Sequence, residues 1–104
     1  MNYTELDWRE AILLGAALRD GLIRAVATEP RPADEVAAEL GMDARAVHVA
    51  LSALAELGVL DEDEAGFWLQ EEHRGALLDV NYRGYVGESV IHRFELIGSW
   101  SRLP

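Results

Sequence analysis

The sequence contains no cysteine and no lysine among its 104 residues. Without cysteine, the chain cannot form a disulfide, supply a thiolate metal ligand or use a cysteine nucleophile. All nine strongly basic side chains are arginines, and 19 acidic side chains outnumber them, which gives a formal net charge of -10. Such acidity argues against binding to nucleic acid or to an anionic membrane, because both are held through contacts to phosphates.

Long hydrophobic runs are also missing. No apolar stretch reaches the roughly 20 residues that a membrane-spanning helix needs, and the opening MNYTELDWRE has no basic region ahead of an apolar run, as a signal peptide would. We therefore expect a cytoplasmic, soluble protein with one domain over residues 1–104. Half of its residues are hydrophobic, and because a small domain leaves much of its surface exposed, this content favours self-association.

The first half of the chain predicts helices. Thr4 is expected to cap a helix through LDWREAILLGAALRDG, and a short helix LIRAVA and a proline-bearing turn follow. Residues 33–40 and 44–57 each have one apolar face at helical spacing, with a glycine at the end of each and Asp43 as the cap of the second. Two helices joined by so short a turn predict a helix-turn-helix.

A short hairpin is predicted directly after these helices. The apolar pair Val59-Leu60 and the aromatic segment Phe67-Trp68-Leu69 read as two strands, and the acids 61–64 with a glycine read as the turn between them. Helix-turn-helix followed by a hairpin is the order of elements in a winged helix, so the predicted fold is mainly α, with a small two-stranded wing.

The last third of the chain predicts a loop into a short helix in EEHRGALLDV and then a long final helix. That helix is expected from Tyr82 to about Leu103, with an apolar stripe that includes Val90, Phe94 and Trp100. A stripe this wide indicates a helix that is covered on more than one side. The N- and C-terminal helices are therefore expected to be additions to the winged helix that serve dimerisation.

Winged helices often read DNA with the exposed residues of their second helix. Here those candidates are Arg45, His48 and Ser52, and Arg45 could pair with a guanine. The wing, however, offers four successive acids where phosphates should approach. DNA binding by a stand-alone transcriptional regulator therefore remains the alternative interpretation, and no nucleic-acid partner is expected.

The stretch AAELGMDARAVHVALSALAELGVLDEDEAGFWLQ resembles the N-terminal domain of small-molecule S-adenosylmethionine-dependent O-methyltransferases. The same order of motifs covers nearly the whole chain, with LRDGLIRAVA before this stretch and YRG and W..LP after it. The resemblance implies an intertwined homodimer that helps to wall a substrate pocket in an enzyme of secondary metabolism. It also implies that S-adenosylmethionine binds in a following Rossmann-like catalytic domain, which this sequence does not contain.

No glycine-rich dinucleotide motif follows a strand in this sequence. We therefore expect no catalytic, cofactor-binding or metal-binding residue in this chain. The chain is expected to act as part of a methyltransferase, joined to or paired with a separate catalytic domain, and to transfer no methyl group alone. A free protein-interaction module is a further alternative.

The dimer would rest on apolar residues of the two outer helices, although the same residues could simply form the core. Gly15 and neighbouring alanines would allow close approach of helices there. These interface residues are Trp8, Ile12, Leu13, Ala16, Val90, Phe94 and Ile97.

Three further residues of the last helix, His92, Glu95 and Trp100, could line the substrate pocket that the resemblance implies, although they read equally well as ordinary polar and core positions. His73 stands beside Glu71 and Glu72, but adjacent residues on a loop rarely converge on one metal ion.

Overall fold

The computed structural model describes residues 3–101, without the side chains of Thr4 and of residues 98–101. A 3-10 helix, Tyr3–Glu5, precedes α1 (Trp8–Arg19), α2 (Leu22–Ala25), α3 (Ala33–Leu40), α4 (Ala44–Leu57), β1 (Leu60–Asp63), β2 (Gly66–Leu69), α5 (Glu71–Leu78) and α6 (Gly87–Ser101). The predicted mainly α winged helix with a two-stranded hairpin is confirmed. Within the described residues, no helix is long and apolar enough to cross a membrane.

The start of α1 is set by Asp7 and not, as the sequence predicted, by Thr4. The backbone N–H of Glu10 donates to Asp7 Oδ1 at 2.8 Å, and the N–H of Asp7 donates to Glu10 Oε1 at 2.9 Å. This reciprocal pair is a capping box, which satisfies two N–H groups that a helix start leaves without partners. Thr4 lies before this box, within the 3-10 helix.

The helix-turn-helix has the predicted bounds. Asp43 accepts a hydrogen bond from the N–H of Ala46 at 2.9 Å and so caps α4. Both α3 and α4 turn their apolar faces inward, and α1 and the hairpin close the same core. The largest fully buried side chains include Leu14, Ile23, Leu51, Leu54, Leu60, Leu69 and Leu77.

The acids of the wing lie mainly on a strand, which corrects the sequence interpretation. Asp61, Glu62 and Asp63 belong to β1 and pair with residues of β2, from Asp61 opposite Trp68 to Asp63 opposite Gly66. The turn itself is shorter than expected, because Asp63 Oδ1 already accepts the N–H of Ala65 at 2.8 Å. All three acids are exposed, so the strand can hold charges at no desolvation cost.

The other edge of β2 pairs with a single residue of the proline-bearing turn. The N–H of Arg31 donates to the carbonyl of Phe67 and the N–H of Phe67 donates to the carbonyl of Arg31, both at 2.9 Å. A Cβ on Gly66 would overlap the Arg31 carbonyl group, and Gly66 has a φ of 130°. Glycine at position 66 therefore lets the turn before α3 close against the wing.

The C-terminal helices differ from the sequence prediction in their bounds. α5 begins at Glu71, so the predicted loop is already helical. α6 begins at Gly87 and not at Tyr82, because a turn intervenes in which the N–H of Tyr85 donates to the Tyr82 carbonyl. The N–H of Val86 then donates to the Ala76 carbonyl at 2.7 Å, which ties this turn to α5.

Helices α1 and α6 pack against each other within a single chain. A Cβ added to Gly15 would overlap the Cβ of Phe94, and it would lie 3.1 Å from the carbonyl oxygen of Val90. Gly15 therefore does permit the close helix approach that the sequence suggested, and the structure shows that approach between two helices of one chain.

Candidate functional site

A groove of about 430 Å³ lies between the start of α4 and the wing. It corresponds to the surface that a winged helix would present to DNA. Arg45 and His48 line it, as the sequence predicted for these two positions, and the His48 ring meets the Phe67 ring edge-on at 6.0 Å between centroids. Ser52, one turn further along α4, is half-buried and lies outside this lining.

The charge of this groove is predominantly negative. Glu62, Asp63 and Glu64 of the wing and Asp34 of α3 line the same space as Arg45. These acidic side chains are exposed, and they would face the phosphates of any duplex laid across α4. Repulsion between like charges at this surface opposes the electrostatic term that supplies most non-specific DNA affinity.

Several other arginines are committed to contacts within the chain. Arg31 is bonded to Glu35 and Glu39 of α3, which raises its pKa further, chiefly through the bond to Glu39. Arg74 donates to the Ala27 carbonyl at 2.8 Å, and Arg93 donates to the Leu6 carbonyl at 2.6 Å. These guanidinium groups hold turns and segments of the chain together.

The predicted interface residues divide by exposure. Trp8 is 59% exposed, with the guanidinium of Arg9 stacked 5.2 Å from its ring. Val90 is only 5% exposed within one chain, so its side chain can offer little to a second copy. The remaining interface candidates, Ile12, Leu13, Ala16, Phe94 and Ile97, are half-buried.

Another apolar side chain of α6, outside the predicted interface set, is more exposed than most of these residues. Leu96 is 49% exposed. Phe94, two residues earlier, is covered on one side by the guanidinium of Arg19, 4.7 Å from its ring centroid. Leu96 therefore offers a larger apolar area to a partner than the half-buried positions that the stripe singled out.

The three pocket-lining candidates lie on α6. His92 and Glu95 are exposed, and Trp100 has a side chain outside the described part of the structure. Among the described residues, no cluster of three or more histidine and acidic side chains is arranged to hold a metal ion.

His73 is the polar residue that sequence reasoning placed wrongly, because it lies on helix α5 and is 4% exposed. The hydroxyl of Tyr3 is hydrogen-bonded to its Nδ1 atom, and the two rings meet edge-on at 5.8 Å between centroids. Burial lowers the pKa of His73, although the Glu72 carboxylate and the Gly58 backbone oppose that shift. A position three residues before the buried pair Ala76 and Leu77 was the available signal, since it shares their helix face.

Three solved structures, two of them described as methyltransferases, share this fold over part of their length. An O-methyltransferase family protein from Burkholderia thailandensis is 30% identical with a TM-score of 0.74, over 92% of this chain and 28% of that protein. CalO1, a methyltransferase in calicheamicin biosynthesis solved with SAH bound, is 30% identical with a TM-score of 0.63, over 78% of this chain and 24% of its own. The protein PigF, also solved with SAH, is 28% identical with a TM-score of 0.72, over 90% of this chain and 29% of its own.

These likenesses confirm the resemblance to O-methyltransferases that the sequence motifs indicated. The chain spans only 24% to 29% of the length of these proteins. No protein-family model matches the sequence, and no curated protein matches it either.

Proposed function

We propose that this chain is the non-catalytic helical domain of a small-molecule S-adenosylmethionine-dependent O-methyltransferase, and that it assembles the enzyme as a homodimer. The observation that supports this most is the match to an O-methyltransferase over 92% of this chain and 28% of that protein. The likeness to a methyltransferase of calicheamicin biosynthesis supports a substrate from secondary metabolism. The proposal keeps the cytoplasmic location expected from the sequence.

The acidic groove supports this role over that of a transcriptional regulator. A regulator needs its second helix and wing to approach phosphates, and here the wing carries Glu62, Asp63 and Glu64 beside Arg45. We expect no retention of a generic duplex at low salt, where even weak phosphate contacts are detectable. Retention that falls when Arg45 is replaced by alanine would favour the regulator instead.

The homodimer can be tested with two matched apolar positions. Leu96 on α6 is 49% exposed and Val49 on α4 is 61% exposed, so a glutamate at either site meets little resistance from the core of one chain. If the outer helices form the dimer, Leu96→Glu converts it to a monomer in light scattering, whereas Val49→Glu leaves it dimeric. A wild-type monomer at high concentration, or equal effects of both variants, would contradict the proposed assembly.

The proposed link to methyl transfer can be tested on the natural gene product. The reading frame that carries this chain, or one adjacent to it, should encode a domain with a glycine-rich motif after a strand. The purified natural product should bind S-adenosylmethionine in calorimetry, and residues 1–104 alone should give no heat. Binding to the isolated chain, or a natural product without any binding, would remove the methyltransferase role while leaving the dimer test intact.

A further inference from the structure

The N-terminal segment, residues 3–6, is fastened to the rest of the domain at two points. Its first residue, Tyr3, is hydrogen-bonded through its hydroxyl to Nδ1 of the buried His73 on α5. Its last residue, Leu6, accepts a hydrogen bond at its carbonyl from Arg93 on α6, at 2.6 Å. The segment thus bridges two C-terminal helices that lie some 70 to 90 positions away in the sequence.

We propose that the contact between Tyr3 and His73 is a pH-sensitive latch, which holds the N-terminal segment while the imidazole is neutral and releases it when the imidazole is protonated. This inference does not depend on the relationship to methyltransferases, because it uses only contacts within one chain. It concerns a segment that precedes the winged helix, and it leaves the helix-turn-helix core unchanged.

Protonation changes what the buried His73 ring can bind. A neutral ring accepts at one nitrogen and donates at the other, whereas an imidazolium ion has no acceptor. Protonation at Nδ1 therefore removes the lone pair that the Tyr3 hydroxyl meets. The hydroxyl can rotate to accept instead, but a ring that is 4% exposed would still hold a charge away from water, which is costly.

Several charged and polar groups surround the His73 ring. The Glu72 carboxylate lies 3.5 Å from Nε2, and its side chain is 72% exposed, so water screens its attraction for an imidazolium ion. The Gly58 backbone also favours the charged ring, whereas the chain's amino terminus disfavours it. Burial and Glu72 raise the pKa of Tyr3 to about 12, with a smaller effect of Tyr82, so the phenol stays neutral and supplies no compensating negative charge.

The direction of the His73 pKa shift determines whether acid closes or opens the latch. Burial lowers the pKa of His73 below its ordinary value, so the latched form binds fewer protons than a form in which the ring meets water. Acidification therefore favours the released form. The transition lies between the ordinary pKa of histidine, about 6.5, and the lower pKa of the latched ring.

Release would change the surface of α6. Tyr3 forms one wall of an apolar groove of about 400 Å³ whose other walls include Val86, Val90 and Arg93. When the Tyr3 ring leaves, this groove loses a side and the buried side chains of Leu6 and Val90 become accessible to water. The latch thus couples the proton concentration to the apolar area that α6 exposes.

The test is an NMR titration of the full chain from pH 7.5 to pH 4.5. The imidazole signals of His73 report its protonation, and nuclear Overhauser effects between the rings of Tyr3 and His73 report the latch. The expected result is that these effects disappear over the same pH range in which His73 protonates, while the amide signals of α3, α4 and the wing keep their positions. Ring contacts that persist after His73 is protonated would overturn the proposal, as would a simultaneous loss of the winged-helix signals.

Two variants separate the latch from general acid effects. His73→Gln keeps an acceptor for the Tyr3 hydroxyl but cannot be protonated, so the contact of Tyr3 with residue 73 should become independent of pH. Tyr3→Phe removes the bond, and the His73 titration should move up towards its ordinary pKa as the ring gains access to water. His48→Gln, at an exposed histidine, is the matched control and should leave the transition unchanged. A transition that survives His73→Gln would overturn the latch, and so would an unmoved His73 titration in Tyr3→Phe.

Discussion

Gly15 of α1 and Phe94 of α6 face each other so closely that no side chain fits between them. A Cβ at position 15 would overlap the Cβ of Phe94 and would lie 2.9 Å from its Cγ. This contact limits how closely the first and last long helices can approach each other.

Replacing Gly15 by alanine should therefore destabilise the protein. Alanine favours a helix over glycine by about 1 kcal/mol, but overpacking a tight contact costs about 1–3 kcal/mol. We expect the overlap to outweigh the gain in helix propensity and lower the free energy of unfolding, measured by urea denaturation. Because alanine retains a Cβ, Phe94→Ala should not rescue the variant, whereas Phe94→Gly should recover part of the loss. A variant more stable than wild type would show that the two helices separate easily.

The approach of the Arg31 turn to the wing makes a second prediction. Gly66→Ala places a methyl group on the Arg31 carbonyl and also strains a backbone with φ of 130°, whereas Gly41 has φ of 68° and nothing within 4 Å of its added Cβ. Gly41→Ala should cost about 1 kcal/mol for its left-handed backbone alone. Gly66→Ala should cost clearly more in thermal denaturation. Equal losses would mean that the turn moves aside without penalty.

The capping box of α1 predicts an ordered set of effects at two residues. Asp7→Ala removes the side chain that accepts from the Glu10 N–H and should reduce the free energy of unfolding by about 1 kcal/mol. Glu10→Gln keeps an oxygen for the Asp7 N–H and should lose less than Glu10→Ala. Denaturant midpoints compared at pH 7 test the order, and an unaffected Asp7→Ala variant would show that α1 does not need this cap.

The buried imidazole also predicts how global stability depends on pH. Burial lowers the pKa of His73 in the folded protein. The contribution of the neutral ring to the free energy of unfolding is therefore complete above the ordinary histidine pKa of about 6.5. It is lost as the pH falls towards the lower pKa of the folded state. As the pH falls through that range, the free energy of unfolding of wild type should therefore decrease relative to that of His73→Gln. Urea denaturation from pH 7.5 to pH 4.5 measures it, and a constant difference would show that His73 titrates alike in both states.

The helix-turn-helix was predictable because its signals are local. Asp43 at the start of α4 and glycines at the ends of α3 and α4 act within one turn of chain, and the apolar periodicity of residues 33–57 agrees with them. The start of α6 was not predictable in this way. Tyr82 and Val86 continue its apolar spacing, but the N–H of Val86 is bound to the Ala76 carbonyl on α5, and a contact between elements leaves no mark on periodicity.

The candidate site was predicted in the same uneven manner. The sequence correctly predicted that Arg45 and His48, the candidate DNA-reading residues, lie beside an acidic wing. Charge and position along the chain were enough for this prediction. The burial of His73 had one weak signal, its spacing from Ala76 and Leu77 on the same helix face. Its pairing with Tyr3, 70 positions away, had none. Long-range pairing of polar groups is the information that the sequence pattern lacked.

The carboxylates of β1 lie on an edge strand of the hairpin. Within the described residues β1 pairs only with β2, so its other edge has free N–H and carbonyl groups to which a second copy could add a strand. Asp61, Glu62 and Asp63 on that edge would meet the same three charges of the incoming copy, and charged edge strands resist such addition. The acidic strand β1 therefore opposes edge-to-edge pairing of two hairpins.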